Sequence, residues 1–84
     1  MDASINRQAL EMAVRRFDLM ERLGFKCVSL IDGCKAIVEV AEDVADKDTA
    51  VHYGRKGRQK AEMLYGRGSP EVYRWDVLLN KLLK

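Results

Sequence analysis

GFKCVSLIDGCKAIVEVA, Gly24 to Ala41, is the stretch whose reading decides the fold. At its centre sits Asp32-Gly33, flanked on both sides by strand-favouring residues. Asp-Gly suits a two-residue type I′ turn, whose central positions both need positive φ. Folding the chain there pairs Ile31 with Cys34, Ser29 with Ala36, Cys27 with Val38 and Phe25 with Val40 on one nearly apolar face. The other face pairs Leu30 with Lys35, Val28 with Ile37 and Lys26 with Glu39, the last an opposite-charge cross-strand contact. A one-residue slip would exchange the two faces, so the clean sorting supports this register.

The same residues also carry a helical stripe. Leu30, Cys34, Ile37, Ala41 and Val44 recur at helical spacing, with Ile31, Val38 and Ala45 beside them, which would suit one helix over about residues 30–46. Gly33 and the β-branched Val28, Ile31, Ile37, Val38 and Val40 argue against that helix. The main expectation is therefore an α+β fold. It is a small αββαα domain, with a two-stranded antiparallel hairpin (about 25–31 and 34–40) packed on helices at about 5–23, 49–65 and 70–83. The alternative is an all-α four-helix bundle.

Outward from this stretch, the N-terminal segment is helical in pattern, with Ser4 as N-cap and Gly24 as the stop. Arg7, Gln8, Glu11, Arg15, Asp18 and Arg22 share one polar arc. Nearly all the rest is apolar, including Ile5, Ala9, Leu10, Met12, Phe17, Leu19 and Leu23, with Arg16 and Glu21 as interruptions. That arc is wider than a surface helix needs, so the helix packs on two neighbours or turns part of itself to another molecule.

Beyond the hairpin, Glu42, Asp43, Asp46 and Asp48 read as a solvated loop whose acids favour the start of the next helix. That helix carries Ala50, Gly54, Gly57 and Ala61 down its inward face. Two interior glycines cost about 1 kcal/mol each, which implies close approach of another element, with helix 1 the candidate, or else a kink. Gly66-Arg67-Gly68 ends it, and Ser69-Pro70-Glu71 opens a last helix with Ser as N-cap and Pro at the first turn. Val72, Trp75, Leu78, Leu79, Leu82 and Leu83 form its apolar face.

Eighty-four residues allow one core and one domain, 1–84. At 48% hydrophobic and 33% charged residues the chain has a globular rather than a disordered composition. No apolar run reaches membrane-span length, and MDASINRQ lacks the pattern of a signal peptide, so a cytoplasmic location is expected. Cys27 and Cys34 form no CxxC and complete no zinc set, so they read as small core residues, and neither metal nor cofactor is expected. His52, the single histidine, has no recognisable nucleophile or orienting partner, and no phosphate-binding loop is present. A non-enzymatic role follows.

Charge is segregated. Residues 25–48 hold six acids and three bases, whereas 49–84 hold eight bases and three acids. Such separation can steer association with a charged partner. The expected function is a small regulatory or inhibitory protein that binds a protein partner, of a kind common among accessory proteins of phages and other mobile elements. A homodimer is also compatible. The candidate contact residues are Arg55, Lys56, Arg58, Lys60 and Arg67 on the basic segment, with Arg16 and Met12 on helix 1. The alternative is a nucleic-acid-binding regulator in which the basic segment 55–67 neutralises phosphates and Tyr53 or Tyr65 stacks on a base. YGRKGRQ, Tyr53 to Gln59, resembles the arginine-rich RNA-binding stretch of lentiviral Tat proteins but departs from it at Gly57. The wheel also places Lys56 and Lys60 on one flank and Arg55 and Arg58 on the other.

Overall fold

In the computed structural model, which describes residues 3–84, the chain forms four α-helices: α1 Ala3–Arg22, α2 Cys27–Asp43, α3 Lys47–Tyr65 and α4 Pro70–Leu82. The hairpin expectation is overturned. Asp32 and Gly33 lie inside α2, and no strand occurs among the described residues. Leu30, Cys34, Ile37, Val38 and Ala41 are the buried residues of α2, which is the helical stripe of the alternative reading. The proposed facing pairs are lost with the turn. Lys26 is the N-cap of α2 and Glu39 lies in the same helix, about 20 Å further along its axis. Phe25 is left exposed in the α1–α2 connection.

The physical reason lies at Gly33. A Cβ built there would stand 3.0 Å from Cδ2 of Phe17. Phe17 is almost wholly buried, and glycine lets α1 bring this ring against the backbone of α2. The glycine marks close packing of two helices, and no turn.

The same device recurs twice in α3. The approaching helix is α4, and not α1 as its glycines alone suggested. A Cβ on Gly57 would meet Cζ2 and Cζ3 of Trp75 at 2.6 Å, and one on Gly54 would meet Cδ2 of Leu79 at 2.9 Å. Helix α3 thus presents a smooth seam, Ala50, Gly54, Gly57 and Ala61, all of it buried. Along the chain, α1 packs on α2, α2 on α3 and α3 on α4. A single apolar cluster joins all four through Leu10 and Phe17, Leu30 to Ala41, Tyr53 and Ala61, and Val72, Trp75 and Leu82.

The helix ends explain the short connections. The start of α1 at Ala3 precedes Ser4, so Ser4 is not its N-cap, and the Ser4 side chain lies outside the described residues. At the end of α1, Gly24 (φ 74°) lets Phe25 N–H donate to the Met20 carbonyl at 3.0 Å and Gly24 N–H to Glu21 at 3.2 Å. This is a Schellman motif. Helix α2 closes in the same way, Asp46 N–H to Ala41 at 2.9 Å and Ala45 N–H to Glu42 at 3.1 Å. Here the left-handed position holds Ala45, at φ 58°. Asp46 then caps α3, accepting from Thr49 N–H at 3.2 Å and from Thr49 Oγ1 at 2.8 Å. Ser69 caps α4 through Val72 N–H at 3.3 Å, with Pro70 in the first turn.

Three substitutions test this packing and the end of α2. Gly57→Ala is expected to destabilise the protein by about 1–3 kcal/mol in urea melts, because overpacking against a rigid indole outweighs the propensity gain. Gly54→Ala, facing the mobile end of a leucine, should change stability by less than about 1 kcal/mol. Ala45→Gly should stabilise by about 0.5–1 kcal/mol, since it relieves the left-handed strain but loosens the unfolded chain.

Candidate functional site

The basic segment is held largely by intramolecular partners. Lys60 Nζ lies 2.9 Å from Glu21 Oε2, and Lys56 Nζ lies 3.4 Å from Glu21 Oε1, so one carboxylate of α1 bridges two lysines one turn apart on α3. Lys56 Nζ also stands 5.5 Å from the centroid of the Phe17 ring and 5.7 Å from that of Tyr53. The two rings meet edge to face at 5.5 Å. Both distances are within cation–π range. On the other flank Arg58 pairs with Asp76 of α4 and, at 3.0 Å, with Glu62. Arg67, largely exposed, reaches Glu62 at 3.3 Å.

Of the five basic candidates, Arg55 alone has no ion pair among the described residues. The two flanks read from the wheel are therefore two ties, Lys56 and Lys60 to α1 and Arg58 to α4. Because the pairs are partly solvated, each contributes modestly to stability, and their main effect is to orient the helices.

Titration behaviour follows these contacts. The hydrogen bond from Lys60, with the charges of both lysines, holds the Glu21 carboxyl below its ordinary range against the opposing effect of burial. Thr49, through its hydroxyl and its backbone, does the same for Asp46. Burial raises the Tyr53 phenol, and the carboxylate of Asp18 raises it further. Burial pushes the Cys34 thiol up to about 12, so this cysteine is a core residue without thiolate character at neutral pH. His52 lies on the exposed side of α3 with its ring edge-on to Tyr53. None of these groups forms a nucleophile–base pair.

A further feature is the outer face of α1. The wide apolar arc divides into two. Leu10 and Phe17 turn inward, with Ala13, Val14 and Met20 packed beside the core. Ile5, Ala9, Met12, Arg16, Leu19 and Leu23 are all exposed, Met12 at 70% and Leu23 at 66%. Their spacing, 4, 3, 4, 3, 4, is the heptad rhythm of a helix–helix seam. At 1.5 Å per residue the seam is about 27 Å long. Beside it runs a groove of about 650 Å³ between α1 and α2, walled by Ala13, Leu19, Met20 and Leu23 on one side and by Phe25 and Ala36 on the other. Arg16 and Asp32 place opposite charges on its rim.

Met12 and Arg16 are therefore neighbours in one seam, on a different part of the molecule from the ion-paired basic segment. The rhythm was present in the sequence, but only the burial pattern separates the outer seam from the inward one. No family model, no curated protein and no solved structure matches the chain at a significant level. Among the described residues no helix is long and apolar enough to cross a membrane.

Acid stability reports on the ties. Both lowered carboxyls stabilise the fold above their unfolded pKa values, and that contribution is lost as pH falls through the folded values. Stability should therefore decline below about pH 4.5. Glu21→Gln and Asp46→Asn should each flatten the decline in denaturation midpoints measured across this range. An unchanged slope in both variants would contradict the assignment.

Proposed function

We propose that this chain is a non-enzymatic regulatory or inhibitory protein of the cytoplasm that acts by binding a protein, with the outer seam of α1 and the adjoining groove as its contact surface. The observation that carries this reading is the seam itself: exposed residues in heptad register, apolar except for Arg16, that run along α1 and into the turn after it. Soluble proteins rarely leave so continuous an apolar strip uncovered unless it binds something. Helix-in-groove recognition uses this kind of surface, with apolar anchors at i, i+3, i+4 and i+7. Met12 supplies an adaptable anchor. Arg16 sets register, since a partner must offer its guanidinium an acid or a path to water. Arg55 and Arg67 would steer approach rather than supply most of the affinity.

The nucleic-acid alternative draws on cations that already have carboxylate partners, Arg55 excepted, which makes it the weaker reading.

Tagged protein used as bait in lysate, beside a Met12→Glu/Leu19→Glu variant shown by circular dichroism to be folded, tests the proposal. The wild type should retain a stoichiometric protein that the variant loses. Equal retention by both would move the contact surface elsewhere, and retention of none would remove the reading. Titration with labelled DNA and RNA at about 0.05 and 0.2 M salt tests the alternative, for which several phosphate contacts would cost about a thousandfold in affinity between the two.

A further inference from the structure

We infer that the pocket between α2 and α4 binds a small zwitterion, an α-amino acid with a large apolar side chain. The site lies apart from the α1 seam, and the inference does not depend on that seam being a docking surface.

The pocket holds about 240 Å³, and its depth is apolar, formed by Ile31 of α2 with Trp75 and Leu78 of α4. Pockets for drug-sized ligands measure roughly 300–1,000 Å³, so this volume fits a smaller, metabolite-sized molecule. Charge is confined to the rim, where Asp32 and Lys35 stand on α2 and Glu71 and Arg74 on α4.

These four charges are ordered along the pocket. Gly57 meets Trp75, Gly54 meets Leu79 and Lys47 reaches the Lys84 carbonyl, so α3 and α4 run antiparallel. Helices α2 and α3, joined by residues 44–46 alone, are antiparallel as well. Helices α2 and α4 therefore run in the same direction. On each of them the acid precedes the base by three residues, about 4.5 Å along the axis. Both acids thus lie toward one end of the pocket and both bases toward the other. Tyr65, which ends α3 just before α4 begins, lines the acidic end.

None of the four forms an ion pair among the described residues, although opposite charges sit within one turn on each helix. The lysines of α3, by contrast, are tied to Glu21. The rim is left with two anionic and two cationic groups to offer a ligand. A singly charged ligand would satisfy one end only. An α-amino acid carries both charges on one carbon, which matches the short offset between the two ends. Its ammonium would meet Asp32 and Glu71, with the Tyr65 ring as a cation–π partner. Its carboxylate would meet Lys35 and the guanidinium fork of Arg74. Its side chain would lie on Ile31, Leu78 and the Trp75 indole. Asp32 also lines the α1–α2 groove, so the ligand and a docked protein would occupy adjoining sides of α2.

Trp75 is the single tryptophan of the chain, so its emission reports on the pocket directly. Titration of the full chain with L-phenylalanine is expected to change that emission saturably below about 10 mM. Phenethylamine, which lacks the carboxylate, and 3-phenylpropionate, which lacks the ammonium, should each bind at least about tenfold more weakly. Arg74→Gln should narrow the gap between L-phenylalanine and phenethylamine, and Glu71→Gln the gap between L-phenylalanine and 3-phenylpropionate. Circular dichroism checks that both neutral variants fold. A saturable response to none of L-phenylalanine, L-leucine and L-methionine overturns the proposal. Equal binding of L-phenylalanine and both analogues also overturns it, since the pocket would then read only the apolar side chain. Gaps unchanged in both variants would remove the rim charges from the site and overturn it too.

Discussion

The indole of Trp75 resting on the bare backbone of Gly57 is the contact on which the rest of the molecule depends. A side chain at that position would hold α4 away from α3, and Trp75, Leu79 and Leu82 would lose their shared burial. Glycine inside a helix weakens it by about 1 kcal/mol. The loss is offset by an aromatic side chain seated at backbone distance, where dispersion contacts are dense. Gly33 under Phe17 repeats the arrangement on the other side of the bundle, so α1 and α4 are both positioned by glycines of the helices they cover.

Polar contacts then orient what packing has assembled. Glu21 gathers Lys56 and Lys60, Lys56 lies above Phe17 and Tyr53, and Arg58 joins α3 to α4 through Asp76. The charges that look in sequence like a basic face thus spend most of their interaction inside the molecule. Among the apolar surface left over is the outer seam of α1, which none of the described elements covers. The proposed docking surface follows from that remainder.

Much of this was legible beforehand. Three helices could be read from apolar spacing, Gly24 and Gly66 as stops and Ser69-Pro70 as a start, because these are local signals that need only a few neighbouring residues. The four-helix alternative was visible too, in the stripe from Leu30 to Ala41. Asp-Gly flanked by strand-favouring residues is a local turn signal and by itself favours the hairpin. Tertiary packing overrode it, since the positions the stripe buries are those that α1 and α3 need. Ala45 in left-handed conformation gave no warning, as alanine is not a residue associated with that position.

The sequence by itself determined the stops at Gly24 and Gly66, the start at Ser69-Pro70, the apolar periodicities and the unusual width of the apolar arc on α1. Only the tertiary structure decided what each glycine was for, which helix faced α3 and which half of that arc was left uncovered. The reason is that a glycine looks the same in sequence whether it turns the chain or admits a neighbour. A charge likewise looks the same whether it meets water or a carboxylate from another helix. Residues 24–41 held both possibilities, and the ring of Phe17, seven residues before that stretch begins, settled which was realised.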